Sequence, residues 1–196
     1  DETGPVYDIR VRAWYNRDFR SSWYIVPGIL GIILTMTMLM ITSMAIVRER
    51  ERGTLEQLIV TPMRSWELML GKIIPYITVG YAQLTLGLLV GRFIFRVPMR
   101  GSMSLLYLLT LLFIVATLAW GILISTIAKT QIQAMIMSVF GLIPSILLSG
   151  FVFPREGMPR LFQLISNILP LTWFLQITRG IMLKGSSVNY LWPELS

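Results

Sequence analysis

Between Arg20 and Arg48 lie 27 residues with no charged side chain, most of them aliphatic. About 20 apolar residues of α-helix span the hydrocarbon core of a bilayer, so this run is long enough to cross one. Trp23 and Tyr24 stand near one end, as aromatic residues do at a membrane interface, and Arg48 closes the other. A water-soluble fold could bury such a helix, but it would then need a charged surface around it. Charged residues make up 14% of the chain against 55% apolar, and the mean hydropathy is +0.69. Soluble domains usually carry about 25% charged residues. Lipid is therefore the solvent that this composition fits.

Three further runs follow the same rule. The expected spans are 24–47, 73–91, 105–128 and 132–151, joined by a charged segment over 48–72, a connector holding Arg92, Arg96 and Pro98, and a tight turn at Lys129-Thr130-Gln131. After them, Pro154, Gly157 and Pro159 with Arg155, Glu156 and Arg160 end the helix. Residues 161–183 are apolar but hold Pro170, which would interrupt one straight crossing. Two short helices, 161–168 and 171–183, lying at or dipping into the membrane are expected, with a fifth full span as the alternative. At the beginning, Tyr7, Ile9, Val11, Ala13 and Tyr15 alternate with Asp8, Arg10, Arg12 and Trp14, the period of a half-buried strand whose partners would lie upstream. Tyr190-Leu191-Trp192-Pro193 reads as an interfacial lead into another span. The chain thus reads as a piece of a longer protein.

The same composition excludes several functions. There is no Cys and no His, which removes the usual ligands of zinc, haem and iron–sulfur centres and the usual general base, so neither metal-binding nor catalytic residues are expected. The net charge of +7 is scattered between apolar runs and forms no basic face interleaved with aromatics; it suits anionic headgroups and not nucleic acid. The four spans contain no Asp, Glu, Lys or Arg, whereas ion-coupled carriers need ionisable groups inside the membrane. There is no G-x-x-x-x-G-K-[ST] loop, so the chain itself is not expected to bind or hydrolyse ATP.

The segment 48–72 carries the most information. Gly53 interrupts a run of alternating charge, and Thr54 with Gln57 fits a T-x-x-Q capping box that would start a short helix. Thr61-Pro62 stops that helix and starts another, on which Met63, Trp66, Met69 and Leu70 make an apolar stripe beside Arg64 and Glu67. It leads through Gly71-Lys72 into the second span. Such an elbow either rests on headgroups or docks a partner with Trp66 as anchor.

These residues resemble the permease subunit of ABC-2 type exporters, the class that includes daunorubicin-resistance permeases. The match runs through Arg48-Glu49-Arg50-Glu51-Arg52-Gly53-Thr54-Leu55-Glu56-Gln57-Leu58, Thr61-Pro62 and Gly71-Lys72. It continues through Leu147-Leu148-Ser149-Gly150-Phe151, Pro154, Glu156, Met158-Pro159, Asn167 and Pro170. The resemblance implies an all-α polytopic membrane protein with six spans, of which the four here are the second to fifth. Residues 1–23 would end an extracytoplasmic domain, and 152–196 would form short extracytoplasmic or re-entrant helices before a last span. It places the 48–72 loop on the cytoplasmic side, against an ATPase subunit that binds ATP and magnesium. Glu49, Arg52, Gly53, Thr54, Glu56, Pro62, Arg64, Trp66, Glu67, Gly71 and Lys72 are the implied coupling residues. Both ends would then be extracytoplasmic in a bacterial inner membrane, although the distribution of Lys and Arg taken alone favours cytoplasmic ends. Further implied partners are a second permease subunit, identical or not, and a periplasmic adaptor.

The first span is rich in Met and Thr, which either fill helix contacts or line a route for a lipophilic substrate. The resemblance sets the second and fifth spans of the family beside the route, which singles out Thr35, Met38, Thr42, Phe140 and Pro144. Gly87 and Gly91 permit a close helix contact. Three functions remain in view: an ABC exporter permease, an ion-coupled carrier or channel, and a membrane scaffold.

Overall fold

A computed structural model of the chain describes residues 21–53, 65–99 and 101–184, with the helix alone, not its side chains, described over 65–70. The expected strand at 7–15, the helix expected from Thr54 and the 190–193 segment lie outside these residues. Four long helices follow one another: α1, Ser21–Glu51; α2, Ser65–Phe93; α3, Met103–Ile127; and α4, Gln131–Leu148. All four are long and apolar enough to cross a membrane. A 3-10 turn at Arg155–Gly157 leads to α5, Arg160–Ile168, and α6, Pro170–Arg179, which runs on into a π turn at Gly180–Lys184. The described residues are mostly helical, with no strand among them, as an all-α membrane domain requires.

The local chemistry explains the boundaries. At 1.5 Å per residue the 31 residues of α1 reach roughly 45 Å, more than the ~30 Å hydrocarbon core. Its last turn, with Arg48 and Arg50, therefore projects beyond the apolar layer. Gly53 ends it with φ +68°, a left-handed conformation that residues with a Cβ avoid. Ser102 caps α3 by accepting the Leu105 N–H, and Thr130 caps α4 by accepting the Gln133 N–H at 3.2 Å. Pro170 sits at the first position of α6, where its missing N–H costs nothing. α5 and α6 meet there at 86°, so residues 160–182 are sharply bent and do not form one straight crossing.

Helix α1 is the hub, touching α2, α3, α4 and α6. Leu34, Met38, Leu84, Ile114, Leu118, Leu171, Phe174 and Leu175 form the main core. Phe113 and Phe174 stack at 4.3 Å between ring centroids, joining α3 to α6. Small residues let the helices approach. A Cβ on Gly121 of α3 would lie 2.8 Å from the Thr42 Cβ, and one on Gly87 of α2 would lie 1.9 Å from a Leu30 methyl group. Gly91 faces Val26 one turn further, so the Gly87 and Gly91 pair does mark the α1–α2 contact.

Polar pairs add direction where hydrophobicity cannot, because lipid is as apolar as the helix faces. Ser43 and Ser138 share a buried hydrogen bond of 2.9 Å between α1 and α4. Gln83 donates to Thr37 at 3.0 Å across α1 and α2. The Thr85 and Tyr107 hydroxyls meet at 2.8 Å across α2 and α3. Several other buried hydroxyls return to their own helix four residues back, as Thr110 does to Leu106.

Candidate coupling site

The charged end of α1 does not hang free. Glu49 forms an ion pair with Lys72 of α2, holding the two helices together where the 52–64 segment leaves and returns. One turn round, the same end of α1 is fastened to the α3–α4 turn. The Glu51 carboxylate accepts the Gln131 backbone N–H at 3.0 Å and its side-chain amide at 2.5 Å. Arg48 donates from Nε to the Gln131 Oε1 at 3.1 Å. The Arg50 guanidinium donates to the Ser125 carbonyl at 3.0 Å and the Ala128 carbonyl at 3.2 Å. Those carbonyls belong to the last turn of α3, where helix geometry leaves acceptors unfilled and the macrodipole favours a cation. Beneath this polar layer Val47, Ala128 and Ala134 are fully buried against one another.

The structure brings together two of the coupling candidates, Glu49 and Lys72, through their ion pair. Arg52 and Gly53 are exposed at the tip of α1, and Gly71 is exposed on α2. Trp66 and Glu67 fall in the first turn of α2, which is one continuous helix from Ser65 and not a separate short one. Thr54, Glu56, Pro62 and Arg64 lie outside the described residues. Arg50, Glu51 and Gln131 stood outside the coupling set read from the sequence. The signal for them was there: alternating sign over Arg48–Arg52, and a polar Gln131 at the start of α4.

The pathway candidates separate into two groups. Thr35, Met38 and Thr42 are buried within the chain, Met38 fully. The Thr35 hydroxyl is occupied by the Gly31 carbonyl at 2.7 Å. Phe140 and Pro144 are exposed on the outer side of α4, in a stripe with Ile132, Ile136 and Ile143. A wide opening lies elsewhere, between α1 and α2. It has a volume of about 580 Å³, with Ile29, Ile33, Leu86 and Val90 along it and Gln83 as its polar member.

At the opposite end of the bundle a second cluster ties α1 to the 150–151 turn. Tyr24 donates to the Gly150 carbonyl at 2.7 Å and lies parallel to Phe151. The Arg179 guanidinium rests 3.6 Å above the Tyr24 ring. Arg155 donates to Asn167, and the Trp173 indole donates to the Asn167 carbonyl at 2.8 Å. Both ends of α1 are thus pinned by polar contacts, and its middle by close packing.

Residues 8–183 match the profile of the ABC-2 type transporter family. The chain belongs to the ABC-2 type transporter family. It is 37% identical over 188 residues to the Probable multidrug ABC transporter permease YbhR of Escherichia coli, covering 96% of this chain and 51% of that protein. It is 38% identical over 183 residues to the Probable multidrug ABC transporter permease YbhS of the same organism, covering 93% and 48%. It is 33% identical over 198 residues to the Escherichia coli Inner membrane transport permease YhhJ, covering 99% and 52%. The chain therefore spans about half the length of these curated relatives. No solved structure matches it. Within this ABC-2 domain the polar end of α1 coincides with the Arg48–Leu58 run on which the resemblance rests.

Proposed function

We propose that this chain is the membrane-spanning part of a permease subunit of an ATP-driven ABC exporter, and that its 48–72 elbow receives the push of a separate ATPase. The observation that carries the reading is the Glu49–Lys72 ion pair, which fixes the two ends of the elbow to one base. An elbow so anchored can transmit a force applied at its tip instead of flexing beneath it. Glu49, Arg52, Gly53, Thr54, Glu56, Pro62, Arg64, Trp66, Glu67, Gly71 and Lys72 form the proposed docking set, with Trp66 as the apolar anchor and the charges as its rim. ATP and magnesium belong to the ATPase subunit; this chain supplies no catalytic group.

The proposed orientation sets the elbow in the cytoplasm and both ends of the chain on the extracytoplasmic side of a bacterial inner membrane. A second permease subunit, of the same or another kind, completes the pore, and a periplasmic adaptor extends it. The substrate is a lipophilic molecule such as a drug, consistent with the multidrug transport for which YbhR and YbhS are named and with spans that hold no ionisable group. Phe140 and Pro144 are accessible for such a route in the structure as it stands; Thr35, Met38 and Thr42 are buried and would line it only after the packing around α1 opened.

The test is co-purification of the full-length protein with its ATPase from detergent. ATP turnover stimulated by the permease is expected to drop at least five-fold in Trp66→Ala and in Glu67→Lys. Wild-type turnover in both variants would remove the docking role of Trp66 and Glu67, and flux driven by a proton gradient without nucleotide would replace the whole reading with an ion-coupled carrier.

A further inference from the structure

The contacts of Arg48, Arg50 and Glu51 reach past the elbow to a different pair of helices. We propose that Glu51, Gln131 and Arg50 form a mechanical link through which displacement of the elbow is passed to α3 and α4 together with α1. The inference rests on the coupling role proposed above for the elbow, and it assigns the route by which that movement spreads.

Three observations carry it. First, the link is made at both components of the turn: Glu51 holds the first residue of α4 by backbone and side chain, while Arg50 holds the last turn of α3 by two carbonyls. A grip on backbone atoms moves a helix, whereas a grip on a long side chain would swivel. Second, the turn itself is stiff. Thr130 accepts the Gln133 N–H, and the Gln133 side chain accepts the Lys129 N–H at 2.8 Å, so the three residues between α3 and α4 are braced from within. Third, the polar link stands on the dry contact of Val47 with Ala128 and Ala134, and one turn deeper on the buried Ser43–Ser138 hydrogen bond. A close-packed contact of this kind shifts as a unit and does not deform continuously.

α2 is held differently. It meets the same end of α1 through the half-buried Glu49–Lys72 pair, which joins side chain to side chain, and further along it borders the open groove of about 580 Å³. Pushing on the elbow therefore carries α1, α3 and α4 as one body, and the α1–α2 groove is where relative movement is taken up. Gln131 and Arg50 act as positioning residues, since neither needs to touch the ATPase or the substrate.

The experiment uses the full-length protein with its ATPase, cleared of any native cysteine. Glu51→Ala and Gln131→Ala are expected to co-purify with the ATPase as wild type does, yet to lose at least five-fold in permease-stimulated ATP turnover. In a Glu51→Cys/Gln131→Cys pair a short bis-methanethiosulfonate cross-linker should restore that turnover, and a reductant should remove it again. A merely structural role would give no such reversible rescue, and the cross-linked pair keeps the test open where an alanine variant fails to fold. Wild-type turnover in the alanine variants overturns the link. A cross-linked pair that is inactive and recovers on reduction also overturns it, because the two ends must then separate during the cycle. Failure of the wild-type protein to bind an ATPase would instead remove the coupling reading itself.

Discussion

At Gly121 the contact between α1 and α3 leaves no room for a methyl group. The added Cβ would meet the Thr42 Cβ at 2.8 Å and the Leu39 carbonyl at 3.3 Å, and both atoms are held by backbone geometry. Gly87 looks worse by distance, at 1.9 Å from Leu30, yet the obstacle there is the end of a flexible side chain. Leu30 borders the α1–α2 groove and can turn into it. Gly121→Ala is therefore expected to cost about 1–3 kcal/mol, the range for overpacking a tight core. Gly87→Ala should change stability by less than about 1 kcal/mol, because relief of the helical glycine penalty offsets part of the strain. Unfolding of the two variants in SDS titrations of the purified protein separates them; equal losses would mean that Leu30 cannot move. Neither outcome could be read from the sequence. The spacing of Gly87 and Gly91 marked a close contact, but Gly121 has no glycine partner at helical spacing on its own helix, and its partner Thr42 is 79 positions away.

Among the elements, the long helices were legible and the break between the two short ones nearly so, for a physical reason. A charge-free run of 18 or more residues has one low-energy state in a membrane, the helix, since unsatisfied backbone groups are prohibitive there. Pro170 likewise has one comfortable place near a helix, its first turn, so the break between α5 and α6 could be placed within a residue or two. What could not be read was which helix faces which. That choice depends on hydroxyls and small side chains whose signals are weak one at a time, such as Ser43 against Ser138 and Ser166 against the Leu148 carbonyl at 2.7 Å. The coupling set shows the same limit: the sequence marks Glu49 and Lys72 singly and not as the partners they are, and it does not join Glu51 to Gln131, which lies 80 residues away. The interhelical polar contacts make a prediction at this scale. Ser43 is 0% and Ser138 1% exposed, so Ser43→Leu must force α1 from α4, at about 1–3 kcal/mol. Ser43→Ala should lose only about 0.6 kcal/mol, the average for such bonds in a membrane protein, because Ser138 keeps its bond to the Ala134 carbonyl. Paired unfolding measurements check both values, and a Ser43→Ala loss as large as that of Ser43→Leu would refute the packing argument.

For the whole molecule the decisive question is which way it faces. The chain has its polar link at one end of the bundle, with Lys129 exposed beside it, and the Tyr24–Gly150–Arg179 cluster at the other, with Gly157 exposed beside that. Charge counting and family resemblance disagree on orientation, and physics explains the disagreement. The rule that favours cytoplasmic Lys and Arg acts on short loops during insertion, and the segments flanking this chain's helices are of uneven length and composition. In the proposed orientation the 48–72 elbow with its five Lys and Arg side chains is the cytoplasmic segment, and 152–184 faces outward. Single cysteines at Lys129 and Gly157 decide between the two, since this chain has none of its own and the rest of the protein can be cleared of them. In intact cells with a permeabilised outer membrane, a membrane-impermeant maleimide is expected to label Gly157→Cys and to leave Lys129→Cys unmodified until the inner membrane is broken. The reverse pattern would put the elbow outside, away from any ATP, and with it would fall both the docking role of Trp66 and the transmission through Glu51 and Gln131. Labelling at both positions from outside would mean that the α3–α4 turn is reached through the bundle. The α1–α2 groove would then be open to water and not only to lipid.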